Sequence, residues 1–153
     1  MLDDRKLKEI QSRVKKYINE GVIKTKGEKG FVDFFLNNAY NSLNSANALF
    51  DLSTDKSVQE KTNYHNFNGF LWVINASYYS MFYVARALLE NEGIKLKAEL
   101  SIHLLTFDAL IHYFFLTGKL QKKLIEDFEE AQEEAAQILG QQKAKELMES
   151  YFY

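Results

Sequence analysis

The chain has 153 residues and a formal net charge of −2, so it is long enough for one domain with a packed core, and its charge indicates no class of partner. Hydrophobic residues make up 46% and aromatic residues 14% of the chain, which excludes a disordered protein. Proline is absent, as is typical of a nearly all-helical chain, and the absence of cysteine excludes disulfides and thiolate metal sites.

The N-terminal segment 1–29 is basic, with nine Lys or Arg against five Asp or Glu. Apolar residues at spacings of three and four predict an amphipathic helix over about Asp3–Asn19, and a glycine-rich loop follows it. A solvated helix face is the favoured interpretation of the charge, and an arm that contacts a nucleic acid or an acidic partner is the alternative. The first residues are too charged for a secretory signal.

A second helix is predicted over about Phe31–Leu52. Phe, Leu and Ala form its apolar face, and Asn and Ser fill the other face. Small polar residues of this kind permit close approach of another helix or give polar contacts to a ligand. Residues 53–63 are predicted to form a polar connection.

The longest uncharged stretch runs from Thr62 to Ala85, and a third helix is predicted over about Phe67–Asn91. This helix is apolar on more than one side, for example along the stripe of Trp72, Ala76, Tyr79 and Tyr83, which predicts burial by several neighbours. Asn, Ser and His within the stretch, and the lack of bracketing Lys or Arg, argue against a membrane span.

Three more helices are predicted over about Leu100–Leu116, Lys119–Gly140 and Gln142–Ser150. The predicted fold class is therefore all-α. We expect an up-and-down antiparallel bundle of five to six helices around the buried third helix, in one domain over residues 1–153. The acidic run of residues 126–134 is expected to be a solvated face. Exposed aromatic residues are expected to seal a homodimer: Phe114, Phe115, Tyr151, Phe152 and Tyr153.

No phosphate-binding glycine loop or zinc motif is present, so neither a cofactor nor a metal site is predicted. Asp108 and His112 are four residues apart, which favours an exposed local pair over a carboxylate-oriented imidazole. Arg86 lies near the end of the third helix. It either reaches water or pairs with Glu90, or else it lines a cleft for an anion such as phosphate together with the nearby tyrosines and His103.

The segments SYYSMFYVARALLENEGIK, SIHLLTFDALIHYFFLTGKL and EDFEEAQEEAAQILG resemble the HEPN family of small all-α domains. Bacterial and archaeal members often show a helix like SYYAMFYAARALL, then a glycine, then a helix that opens with His. The resemblance covers roughly residues 32–153, and the motif of the third helix is its moderately specific part.

The resemblance implies a cytoplasmic helical bundle, commonly dimeric, that is often encoded beside a minimal nucleotidyltransferase as a toxin–antitoxin pair. Some members are metal-independent ribonucleases with an Arg, four to six residues, then His. In this chain the positions before His103 that could hold this arginine contain one basic residue, Lys97, and those before His112 contain none. Neither window holds an arginine, so the ribonuclease motif is absent. The positions that carry over as a nucleotide- or RNA-facing cleft are Tyr78, Tyr79, Phe82, Arg86 and His103, and Tyr83 is a further candidate ligand contact.

Two functional hypotheses follow, beside the third option of a purely structural adaptor with no small ligand. The first is a non-catalytic HEPN-like module that binds a nucleotide, RNA or a protein partner near Arg86 and His103. The second is a metal-independent RNA endonuclease with an atypical site, in which His103 is the general acid or base and Arg86 stabilises the developing charge.

Overall fold

The computed structural model describes residues 2–97 and 101–151, with backbone alone for residues 139 and 141–151. Within these residues the elements are α1 (Asp4–Asn19), β1 (Ile23–Lys24), α2 (Val32–Thr54), α3 (Lys56–Thr62), α4 (Phe70–Asn91), β2 (Lys95–Leu96), α5 (Ile102–Leu110), a π-helical turn (Ile111–Phe115) and α6 (Lys122–Tyr151). The predicted all-α helical bundle is confirmed. None of the described helices combines the length and the hydropathy that crossing a bilayer requires.

Helix α4, the predicted central helix, packs against α2, α5 and α6. Its C-terminal half supplies much of the core, including Tyr78, Phe82, Ala85 and Leu89. The predicted burial of the stripe that begins at Trp72 is only partly right, because the Trp72 side chain is 52% exposed. Its stripe neighbours Ala76, Tyr79 and Tyr83 border an open groove between α2 and α4.

Helices α2 and α4 run antiparallel at close range. The Phe35 ring stacks on Tyr83 at one end of the pair, and Phe50 contacts Phe70 at the other. Between them the Ser80 hydroxyl donates a hydrogen bond of 3.0 Å to the carbonyl of Ala39. The buried residues of α2 are Ala39 and Ala46, whose small side chains let the two backbones approach. The close approach is thus made by two alanines of the apolar face, whereas the Asn and Ser residues, for which the two interpretations were given, line a neighbouring groove.

Helix α1 is held against α5 by its apolar stripe and by one ion pair. Ile10 and Val14 are fully buried, and each contributes about 1.5–3 kcal/mol. Arg13 donates two hydrogen bonds of 2.8 Å to the Asp108 carboxylate, which is 0% exposed. Both hypotheses for Asp108 and His112 are therefore wrong. The backbone widens into the π-helical turn at Ile111, so the spacing of an α-helix no longer holds at His112.

The connections hold two further departures from prediction. The predicted glycine-rich loop contains β1, which pairs antiparallel with β2. Gly93 adopts a positive φ of +73°. A Cβ atom at this position would lie 2.9 Å from the carbonyl oxygen of Gly27, so any side chain there would collide with the backbone. The predicted polar connection contains α3, which begins where the Asp55 carboxylate accepts hydrogen bonds from the amides of Ser57 and Val58.

The C-terminal predictions are also corrected. One helix, α6, passes through Gly140, where two helices were predicted. Phe114 is buried in the core and Phe115 packs against it, so neither is free to seal a dimer as predicted. The side chains of residues 151–153 lie outside the described part of the chain. In the acidic run, Glu129 is nearly buried and forms an ion pair with Lys6, so it is not part of a solvated face.

Candidate ligand site on helix α4

The buried floor of the site is an aromatic cluster on α4. Tyr78, Phe82 and Arg86 are four residues apart, and this spacing places them on neighbouring turns of one side of the helix. The imidazole of His103, at the start of α5, packs on this cluster with ring centroids 4.5 Å from Phe82 and 5.7 Å from Tyr79. The fold thus brings together the α4 motif and the histidine of the next helix.

His103 is fixed by one hydrogen bond. Its Nδ1 and the Tyr78 hydroxyl share a bond of 2.7 Å. Burial lowers the pKa of the His103 imidazole below its ordinary value, and the charge of Arg86 lowers this pKa further. Burial also raises the pKa of the Tyr78 hydroxyl, with a smaller contribution from Tyr79. At neutral pH both groups are therefore uncharged, and they form an oriented but neutral pair.

Arg86 carries the positive charge of the site. Its guanidinium carbon lies 4.7 Å from the centroid of the Phe35 ring and 6.0 Å from that of Phe82. Burial lowers the pKa of this guanidinium, and the charge of Glu90 opposes that shift. The side chain is half-buried and, among the described residues, makes no hydrogen bond and no ion pair. It remains charged at neutral pH, because a guanidinium ordinarily loses its proton only far above this pH.

Glu90 does not serve as the hydrogen-bonded partner of Arg86 that one interpretation predicted. Its carboxylate accepts a hydrogen bond of 3.1 Å from the Phe31 amide at the start of α2, and it pairs with Lys95 of β2. Through these contacts Glu90 connects the end of α4 to the start of α2 and to β2. The Arg86 guanidinium therefore has the rings of Phe35 and Phe82 beside it and no hydrogen-bonded carboxylate among the described residues.

A groove of about 440 Å³ lies between α2 and α4. Trp72 and Leu49 line one end, and Tyr83 and Asn38 line the other, beyond which Phe35 and Arg86 follow on the next turn. The α2 wall is polar and uncharged, with Asn38, Asn41, Ser42 and Ser45. A second cavity of about 210 Å³ adjoins the groove between Tyr78, His103 and helix α6, and the two cavities share Asn75 and Tyr79.

Asn75 is a candidate site residue that was not predicted from the sequence. It borders both cavities, is only 6% exposed, and neither its amide nitrogen nor its amide oxygen has a hydrogen-bond partner in the described structure. The available signal was a polar residue in the middle of an aromatic helix. Whether its amide finds a partner depends on neighbours from α2 and α6, which the sequence of α4 does not specify.

The predicted site residues thus fall into two groups. Tyr78, Tyr79, Phe82 and His103 form one aromatic cluster, and Arg86 joins it through the Phe82 ring. Tyr83 belongs to the groove side, where it contacts Tyr79 and Phe35. Arg86 and His103 share a neighbour but no hydrogen bond. Among the described residues, no group of three or more His, Cys, Asp or Glu is placed to hold a metal ion.

Comparisons of the chain with family models, with curated proteins and with solved structures gave no match. The HEPN resemblance therefore stays a prediction that depends on the motif residues alone.

Proposed function

We propose that this protein is a non-catalytic, HEPN-like binding module that holds a nucleotide against α4, with its phosphate at Arg86. The single observation that carries the proposal is the half-buried guanidinium, which makes no hydrogen bond or ion pair among the described residues. A cation that has lost part of its hydration without gaining an acceptor is stabilised by an incoming anion, and guanidinium groups bind phosphate with two parallel hydrogen bonds.

The groove supports the rest of the ligand. Its volume falls in the range of small-molecule sites, and the Trp72, Tyr79 and Tyr83 side chains give it aromatic faces on which a base can stack. Positive charge is sparse, since the only charged residues of α2 are Asp33 and Asp51 and the only basic residue of α4 is Arg86. Binding of a long RNA depends on many cationic contacts to phosphates, so this face suits a mononucleotide better.

Titration of nucleotides with detection by Trp72 fluorescence tests the proposal, because Trp72 is the only tryptophan and lines the groove. We expect Arg86→Met to weaken nucleotide binding at least tenfold, since a charge-assisted hydrogen-bond pair is lost. Arg5→Met is the matched control, because Arg5 is an exposed arginine of α1. Absence of binding at millimolar nucleotide, or equal affinity of wild type and Arg86→Met, would contradict the proposal.

The endonuclease alternative uses the same two residues in another way. It gains support from the convergence of Arg86 and His103 on the Phe82 ring. A neutral, oriented imidazole is suited to accept a proton. Incubation of the protein with structured RNA and a chelator separates the two functions, since cleavage that disappears in His103→Ala would favour the nuclease and exclude the non-catalytic module.

The remaining partner proposals come from the resemblance. They are a cytoplasmic location, a homodimer, and a minimal nucleotidyltransferase as the second half of a toxin–antitoxin pair. The exposed apolar residues of α2 support an interaction through that helix: Leu36, Tyr40, Leu43 and Phe50. A nucleotidyltransferase gene beside the gene for this chain would support the pairing.

A further inference from the structure

Among the described residues, the buried amide of Asn75 has no hydrogen-bond partner. An unpaired polar group away from water costs free energy, and buried side-chain amides are normally hydrogen-bonded. Buried atoms without a hydrogen-bond partner also occur on His112 and Tyr113, in the π-helical turn, whereas other buried polar side chains are paired. Glu90 binds Lys95 and the Phe31 amide, and the Thr106 hydroxyl donates to the Ile102 carbonyl. Of the three residues with unpaired atoms, Asn75 lies where two cavities meet.

Asn75 and Arg86 are on the same face of α4. They are eleven residues apart, which is three turns, and at 100° per residue their directions around the axis differ by about 20°. Along the axis they are separated by about 16 Å, and the longer Arg86 side chain leans back toward Asn75. A ligand that contacts both groups must therefore be elongated, with a hydrogen-bonding edge at one end and an anion at the other.

We propose that Asn75 is the residue that binds the base of this ligand, and that the ligand is a nucleoside di- or triphosphate lying along the groove with its terminal phosphate at Arg86. The inference rests on the proposed function and names its ligand class. A carboxamide offers a donor beside an acceptor, which matches the edge of a nucleobase, as when Asn pairs with adenine through two hydrogen bonds. A nucleoside monophosphate is too short to span three helical turns comfortably.

Binding requires a movement of Tyr79. The two polar atoms of the Asn75 amide are closed off from solvent in the free protein. Tyr79 is the other residue that borders both cavities, and its side chain is 39% exposed, so its ring has room to turn. The smaller cavity, about 210 Å³, exceeds the roughly 150 Å³ that holds a benzene ring in a protein core. A displaced Tyr79 ring therefore leaves space for a base beside the amide.

The experiment compares three probes by Trp72 fluorescence and calorimetry: ATP, purine riboside triphosphate, which lacks the exocyclic amine, and inorganic tripolyphosphate, which lacks the base. We expect the wild type to bind ATP at least tenfold more tightly than either of the other two, and more tightly than AMP. Asn75→Leu should lose the preference for ATP and keep the affinity for tripolyphosphate. Arg86→Met should lose affinity for all three.

Stability gives an independent measurement that requires no ligand. Because the amide is unpaired, Asn75→Leu should leave the melting temperature of the free protein unchanged or raise it. Asn75→Ala, which removes the amide without adding bulk, is the second variant in case the first one repacks α4, and it should lose the preference for ATP in the same way. A marked fall in the melting temperature of Asn75→Leu would show that the amide has a partner in the free protein, and this would overturn the inference.

The outcomes separate the two proposals. If the wild type binds tripolyphosphate and nucleotides through Arg86 but Asn75→Leu keeps the preference for ATP, only the assignment of Asn75 is overturned. If the wild type binds none of the probes, the proposed function and this inference fail together.

Discussion

The ion pair between Arg13 and Asp108 fixes α1 to the rest of the bundle, and its removal gives the sharpest stability prediction. The Asp108 carboxylate is 0% exposed and accepts two hydrogen bonds of 2.8 Å from Arg13, which is 37% exposed. The hydrogen bond with Asp108 raises the pKa of Arg13. Arg13→Met keeps the length of the side chain and leaves the buried carboxylate without its cation.

Breaking a buried pair by removing one partner costs about 3–5 kcal/mol, because an uncompensated charge remains inside the protein. Arg13 is partly exposed, so water can reach the carboxylate once the guanidinium is gone, and we discount the loss to about 2–4 kcal/mol. For a domain of this size that loss lowers the melting temperature by about 10 °C.

Urea denaturation followed by far-UV circular dichroism measures the free energy of unfolding of each variant. In the Asp108→Ala background, Arg13→Met should cost less than about 1 kcal/mol, since no buried charge remains to be stranded. The matched control is Arg5→Met, which breaks an exposed pair with Glu9 and should change stability by less than about 0.5 kcal/mol. A loss below about 1 kcal/mol for Arg13→Met alone, or an equal loss in both backgrounds, would refute the reasoning.

Two further predictions concern pH and association. Because the pKa of His103 is lowered in the folded state, the unfolded chain binds a proton more readily. The free energy of unfolding should therefore fall as the pH drops below about 6.5. His103→Gln should reduce this fall, as measured by urea denaturation at several pH values. We expect a homodimer that forms through the exposed apolar residues of α2, which include Tyr40 and Leu43. Tyr40→Glu or Leu43→Glu should convert this dimer to a monomer, as measured by light scattering. Tyr64→Glu, which alters an exposed aromatic residue outside α2, should leave the dimer intact, and a monomeric wild type would contradict this prediction.

The helices themselves could be predicted because their signals are local. The three-and-four spacing of apolar residues gave α1, α2 and α4 to within a few residues. Gly21 and Gly93 follow predicted helix ends and adopt positive φ, as a terminating glycine does. Gly140 was a false stop, because a glycine ends a helix only where the chain turns into the left-handed region, and here α6 continues through it.

What could not be predicted depends on partners distant in sequence. The four-residue spacing of Asp108 and His112 suggested a local pair, but the partner of Asp108 is Arg13, 95 residues away. The same limit applies to Arg86, whose helical spacing allowed a pair with Glu90. Lys95 of β2 and the Phe31 amide occupy Glu90 instead, and neither contact is visible in the pattern of α4.

Buried charges elsewhere in the fold are paired, and this distinguishes them from the polar groups of the candidate site. Asp108 is paired with Arg13, Glu90 with Lys95, and Glu129 with Lys6, so the chain compensates each of its buried carboxylates within the described residues. Arg86 and Asn75 depart from this rule on one face of one helix. Proteins tend to break their own packing rules where a function requires it. Unpaired buried atoms also occur on His112 and Tyr113, but Asn75 lines the aromatic groove and Arg86 follows one turn beyond its end. In the proposed function, a single absent ligand accounts for both of these unsatisfied groups.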